Sequence, residues 1–171
     1  MKTKTIITTI LAILALVGLF VWGKVSSRGS STASVQGASS TSAKSSLSSA
    51  EVLYDFGTIS MKNGNVSKDF TFSNSTEKDV IVRGVETSCM CTSALLVNGD
   101  NSTKGPFGMA GMGGLTATNE TIKVGESRTV RVVYDPNAHG PAGVGKIDRF
   151  ITVTDSSGGI IRFEIKAMVT P

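Results

Sequence analysis

Beyond residue 50, apolar side chains recur at every second position in one short stretch after another. That rhythm constrains the fold more than any other feature of the chain. Residues 66–72 place Val66, Phe70 and Phe72 on one face and Ser67, Asp69 and Thr71 on the other. Val52 and Tyr54 alternate with Leu53 and Asp55 up to a Phe56-Gly57 turn. Residues 80–85, 129–134, 146–154 and 160–169 read the same way. Asp135-Pro136 halts one run, and Ser156, Ser157, Gly158 and Gly159 turn between the last two. Helical spacing with caps does not occur past the first 25 residues. The pattern predicts an all-β antiparallel sandwich over residues 50–171, with six or seven strands depending on how residues 92–124 fold.

The two cysteines, Cys89 and Cys91, stand one residue apart and cannot staple distant segments, so the domain must rest on its core. The formal charge of +4 misleads until it is located. Lys2, Lys4, Lys24, Arg28 and Lys44 lie in the first 45 residues, which hold no acidic residue, and beyond them acidic residues outnumber basic ones by one. A basic face for nucleic acid is therefore not expected.

From Ile6 to Trp22 the chain is uncharged and largely apolar behind Lys2 and Lys4. Seventeen such residues would span about 25 Å as a helix, the lower limit for crossing a bilayer, and Trp22 suits the headgroup layer. Residues 1–25 are expected to be a membrane anchor or, if cleaved, a secretory signal. Gly23, Lys24 and Val25 form a poor cleavage site, which favours the anchor. Both readings place the domain outside the cytoplasm. Residues 26–49 are half serine and are expected to be a flexible tether reaching roughly 27 Å from the membrane.

Several motifs occur in a familiar order: Tyr54-Asp55-Phe56-Gly57-Thr58-Ile59, Phe70-Thr71-Phe72-Ser73-Asn74, Ser88-Cys89-Met90-Cys91-Thr92, Val124-Gly125-Glu126-Ser127 and Val132-Val133-Tyr134-Asp135-Pro136. Over residues 51–169 the chain resembles the bacterial domain-of-unknown-function family numbered fifteen seventy-three, which looks like the Hydin-type immunoglobulin-like sandwiches. The resemblance implies an immunoglobulin-like fold and no activity. Met90 stands where that family usually has glycine, and this chain carries an extra loop after the cysteine pair.

Chemistry has three candidate locations. In an extended strand, Cys89 and Cys91 would share a face with their Cα atoms about 6.6 Å apart, near the limit for a disulfide. A strained vicinal bridge, a chelate for a soft metal, or two small packed residues all fit that spacing. The glycine-rich stretch 105–114 carries Met109 and Met112, whose thioethers suit Cu(I), or else rest on the surface as a partner contact. His139 is the chain's one histidine. It reaches the cysteine end of the sandwich if one strand, rather than none or two, runs between the cysteine pair and residues 129–134, and the family's usual connection implies one.

The residues hold no nucleophile elbow, phosphate loop or paired catalytic carboxylates, so an enzyme is not expected. Four glycosylation sequons, at Asn65, Asn74, Asn101 and Asn119, carry no weight in so Ser/Thr-rich a chain. The expected function is a membrane-tethered extracytoplasmic binding or structural module contacting cell-envelope proteins. The alternative is a copper-binding protein using Cys89, Cys91, His139, Met109 and Met112. A thiol redox role comes third, because Cys-x-x-Cys spacing is missing.

Overall fold

In a computed structural model, residues 44–171 are described, and the expected anchor and most of the expected tether lie outside them. Among the described residues no helix is long and apolar enough to cross a membrane. They form ten strands: β1 (Leu47–Ser48), β2 (Leu53–Ser60), β3 (Val66–Asn74), β4 (Val80–Thr87), β5 (Thr92–Val97), β6 (Thr103–Phe107), β7 (Ala117–Ile122), β8 (Ser127–Tyr134), β9 (Gly145–Asp155) and β10 (Ile160–Thr170).

Two five-stranded sheets result, in the orders β1-β3-β8-β5-β6 and β2-β10-β9-β4-β7. The two-sheet sandwich is as the alternation predicts. All six expected runs are strands, and the count reaches ten because residues 92–124 hold three strands rather than at most one and β1 adds another ahead of them. The pairing is antiparallel except at one edge, where β2 runs parallel to β10.

The inward faces of the two sheets meet in one core. Phe70 and Phe72 are buried from β3, and Phe70 stacks on Phe163 of β10 with ring centroids 4.9 Å apart. Asn74, fully buried at the end of β3, satisfies its whole amide. Its Nδ2 donates to the carbonyls of Lys78 (2.8 Å) and Ile122 (2.9 Å), and its Oδ1 accepts from Thr76 N and Oγ1. A glycan could not reach Asn74 in the folded domain.

The sandwich starts earlier than the serine content suggests. Residues 44–49, assigned to the tether on composition, belong to it: Leu47 is 2% exposed, and β1 pairs with the end of β3. Ser45 Oγ donates to buried Asp155 Oδ2 at 2.6 Å, and Ser45 N donates to Ile160 O at 3.2 Å. The segment lies so close over the β9–β10 turn that a Cβ on Gly159 would fall 2.7 Å from Ser45 Cα and 2.6 Å from Asp155 Oδ2. Glycine is required there. Composition alone could not show that an isolated leucine among serines would find a core site.

These pairings give the sandwich two poles. One pole holds the β9–β10 turn and Ser45. The other holds the loops after β2, β4, β6 and β8, together with the start of β9.

Candidate functional site

Cys89 and Cys91 do not lie in an extended strand. After β4 ends at Thr87 the chain turns sharply, with Thr92 N donating back to Cys89 O at 3.1 Å. Thr87 Oγ1 spans the turn, reaching the carbonyls of both Cys89 and Thr92 at 3.0 Å. Ser88 ties it to β9: its N–H donates to Phe150 O, and its Oγ accepts from Phe150 N, both at 2.9 Å. The turn shortens the Cα separation to 5.3 Å, well inside the ordinary range for a disulfide, and the two sulfurs are joined as one. The expectation of a 6.6 Å extended pair is corrected accordingly: the strand ends two residues before the first cysteine.

The two sulfurs differ in setting. Cys91 is 2% exposed, whereas Cys89 is only partly covered. Cys91 Sγ accepts from Arg149 Nε at 3.3 Å and lies 3.7 Å from Thr92 Oγ1. Cys89 Sγ lies 3.2 Å from His139 Nε2. The ligand atoms of Cys89, Cys91 and His139 all fall within 4.8 Å of one another.

His139 is delivered by the loop after β8. Asp135 Oδ1 accepts from Asn137 N at 2.8 Å, and Asn137 Nδ2 donates to Met61 O at 2.9 Å, which binds this loop to the turn after β2. A short 3-10 turn, Gly140–Gly143, then follows His139. The strand parity holds by a different count: three strands, β5, β6 and β7, separate the cysteine turn from β8. Thr92 consequently pairs with Tyr134, and Asp135 N donates to Cys91 O at 2.9 Å.

The methionine loop reaches the same pole. Thr87 N donates to Gly108 O at 3.1 Å, and Gly108 N donates to Leu115 O at 2.9 Å, so the loop springs from beside the cysteine turn. Met109 is half-buried and Met112 is 58% exposed. Three of the five candidate ligands are thus brought together, while the two thioethers sit on a neighbouring loop.

Arg149 is the residue that sequence reading passed over. A signal for it existed. In β9, Ile147, Ile151, Val153 and Asp155 are buried on one parity, and Arg149 shares that parity. An arginine on the inward face of a strand requires a partner, and this one meets a sulfur. Its charge also reaches Tyr134, whose phenol is pushed up by burial, with Arg149 opposing that rise.

Comparison with known proteins fits this architecture. Residues 47–99 match the model of the family described as Protein of unknown function (DUF1573), a span that includes the Tyr-Asp-Phe-Gly and Cys-Met-Cys motifs. The later motifs around Val124 and Tyr134 lie beyond it. No curated protein matches the sequence. Among solved structures the chain is similar to a protein of unknown function from Porphyromonas gingivalis, at 15% identity and a TM-score of 0.52, covering 78% of this chain and 51% of that one. This chain therefore spans about half the length of that relative. It is also similar to the ASH / PapD-like domain of human CEP192, at 10% identity and a TM-score of 0.45, covering 74% of this chain and 87% of that one. Likeness at such identity concerns the fold alone.

Proposed function

We propose that this chain is a membrane-tethered, extracytoplasmic immunoglobulin-like module that carries a soft-metal site at its cysteine pole, with Cu(I) held by Cys89, Cys91 and His139. The observation that carries this reading is the convergence of two sulfurs and an imidazole nitrogen within 4.8 Å, on a turn and a loop that are each hydrogen-bonded in place. Thiolate donors select Cu(I) over harder ions, and imidazole is a ligand it accepts. Metal binding requires the reduced pair, because a disulfide offers no thiolate. The tether is supported by the apolar run from Ile6 to Trp22. The site stands at the pole opposite Ser45.

A simpler binding module for cell-envelope proteins is favoured by one further observation. Met90 and Met112, each 58% exposed, and Leu115, 52% exposed, crown the cysteine pole with adaptable apolar surface. A Cu(I) titration decides between the two. Full-length protein in detergent, reduced and kept without oxygen, should take about one Cu(I) from a chromophoric chelator, and Cys89→Ser with Cys91→Ser should abolish that uptake. Failure of the reduced wild type to compete leaves only the binding module.

A further inference from the structure

We propose that the Cys89–Cys91 bridge is a directional thiol–disulfide couple that accepts two electrons from a dithiol on a partner polypeptide, with Cys89 as the sulfur attacked and Cys91 as the sulfur that leaves. This goes beyond metal binding and does not depend on it.

The direction follows from the different surroundings of the two sulfurs. An incoming thiolate must approach along the S–S axis from outside. Cys91 is 2% exposed at the head of β5, whereas Cys89 is partly open on the turn. Cys89 is the more accessible of the two. The departing sulfur must carry new negative charge, and a leaving thiolate departs faster when that charge is stabilised. Cys91 Sγ already accepts from Arg149 Nε–H at 3.3 Å. Guanidinium keeps its proton at any physiological pH and donates from a fixed plane, so its charge is in position before the bond breaks.

The exchange balances in two steps. In the first, a partner thiolate forms a bond to Cys89 Sγ, the Cys89–Cys91 bond breaks, and its electron pair leaves on Cys91 Sγ. In the second, the partner's other thiolate attacks the partner sulfur of this mixed disulfide and releases Cys89 as a thiolate. The partner dithiol is oxidised to a disulfide and the domain's disulfide is reduced to two thiolates. The two protons from the partner's thiols go to those thiolates or to solvent. Met90 between the cysteines and Met112 on the adjacent loop are both exposed, which suits a cysteine-bearing segment with apolar flanks.

The test uses full-length protein in detergent with a metal chelator present throughout, so the copper reading cannot enter the result. Reduced Cys91→Ser and Cys89→Ser variants are each mixed with glutathione disulfide, and mixed-disulfide formation is followed by mass. The proposal expects the lone Cys89 to react at least about ten-fold faster than the lone Cys91. Equal rates, or a faster Cys91, would overturn it. Separately, Arg149→Gln should slow the opening of the wild-type bridge by dithiothreitol about ten-fold, with Arg149→Lys in between. Opening of a folded Arg149→Gln protein at the wild-type rate would remove the leaving-group assignment. Should that variant fail to fold, the comparison of the two cysteine variants still decides the direction.

Discussion

Nε2 of His139 lies 3.2 Å from Sγ of Cys89 although the two residues are fifty apart in the chain. Neither belongs to a strand. Each sits just beyond one, Cys89 after β4 and His139 after β8, and the antiparallel pairing of β5 with β8 brings the two loops to one pole.

That relationship makes His139 the sensitive position for metal binding. His139→Ala should weaken Cu(I) affinity by about ten-fold or more, since even loss of a residue that only supports a ligand costs that much. Met109→Leu with Met112→Leu should weaken it less and leave the fold intact. Competition with a chromophoric chelator measures both. An unchanged affinity in His139→Ala would remove the imidazole from the site.

Phe70 is fully buried and stacks on Phe163 across the two sheets. Phe70→Ala should cost about 3–5 kcal/mol in unfolding free energy, and Phe72→Ala a similar amount. Chemical denaturation followed by far-ultraviolet circular dichroism tests this. Indifference to both substitutions would contradict the packing described.

Leu47 offers a sharper test because its surroundings in sequence are almost all serine. At 2% exposed it should behave as a core residue, and Leu47→Ala should cost about 2–5 kcal/mol. A chain that begins at Ser48 should therefore unfold earlier than one beginning at Thr41. Equal midpoints would return residues 44–49 to the tether.

Two buried carboxylates contribute to the acid response. Burial works to raise Glu120, but hydrogen bonds and charge from Lys104 (2.6 Å) and Arg128 (2.9 Å) outweigh it and hold the carboxyl below its ordinary 4.5. Burial likewise works to raise Asp155, and the donors Ser157, Ser45 and Gly159 hold it below 3.8. A folded-state pKa below the unfolded one gives stability that is complete above the unfolded value and lost as pH falls through the folded one. Unfolding free energy should thus be flat near neutrality and decline below about pH 4.5. Glu120→Gln should lower the neutral plateau by about 1–3 kcal/mol and make the acid decline shallower. A decline as steep as that of wild type would exclude Glu120 as a source of the acid sensitivity.

The anchor reading predicts that mature full-length protein fractionates with membranes and keeps its N-terminus. Intact mass measures this directly. A start between Val25 and Ser49 would replace the anchor with a cleaved signal.

The sandwich was legible because a buried strand face repeats every second residue, and runs such as 66–72 and 160–169 keep that period cleanly. Residues 92–124 were harder to read. β6, Thr103–Phe107, buries only its last residue, and β7 carries Glu120 at an inward position, so neither shows clean alternation. The identity of the site residues could be read, since sulfur and imidazole are scarce in this chain. Their distances could not, because a tight turn rather than a strand carries Cys89 and Cys91. The role of Arg149 was written in its parity on β9, yet only the position of Cys91 in space gives that parity a meaning.

The two ways in which the N-terminal part of the chain joins the sandwich respond differently to pulling. Ser45 and β1 hold by a latch on Asp155 and a two-residue pairing, and force drawn through residue 44 would peel these contacts apart one at a time. β2 lies along β10 in parallel register from Leu53 to Ser60, so the same force reaches its bonds together and loads them in shear. A domain held by its N-terminus therefore contains a mechanical fuse. Light tension would free the first few residues, β1 among them, while the other nine strands and the cysteine turn at the opposite pole stay in place.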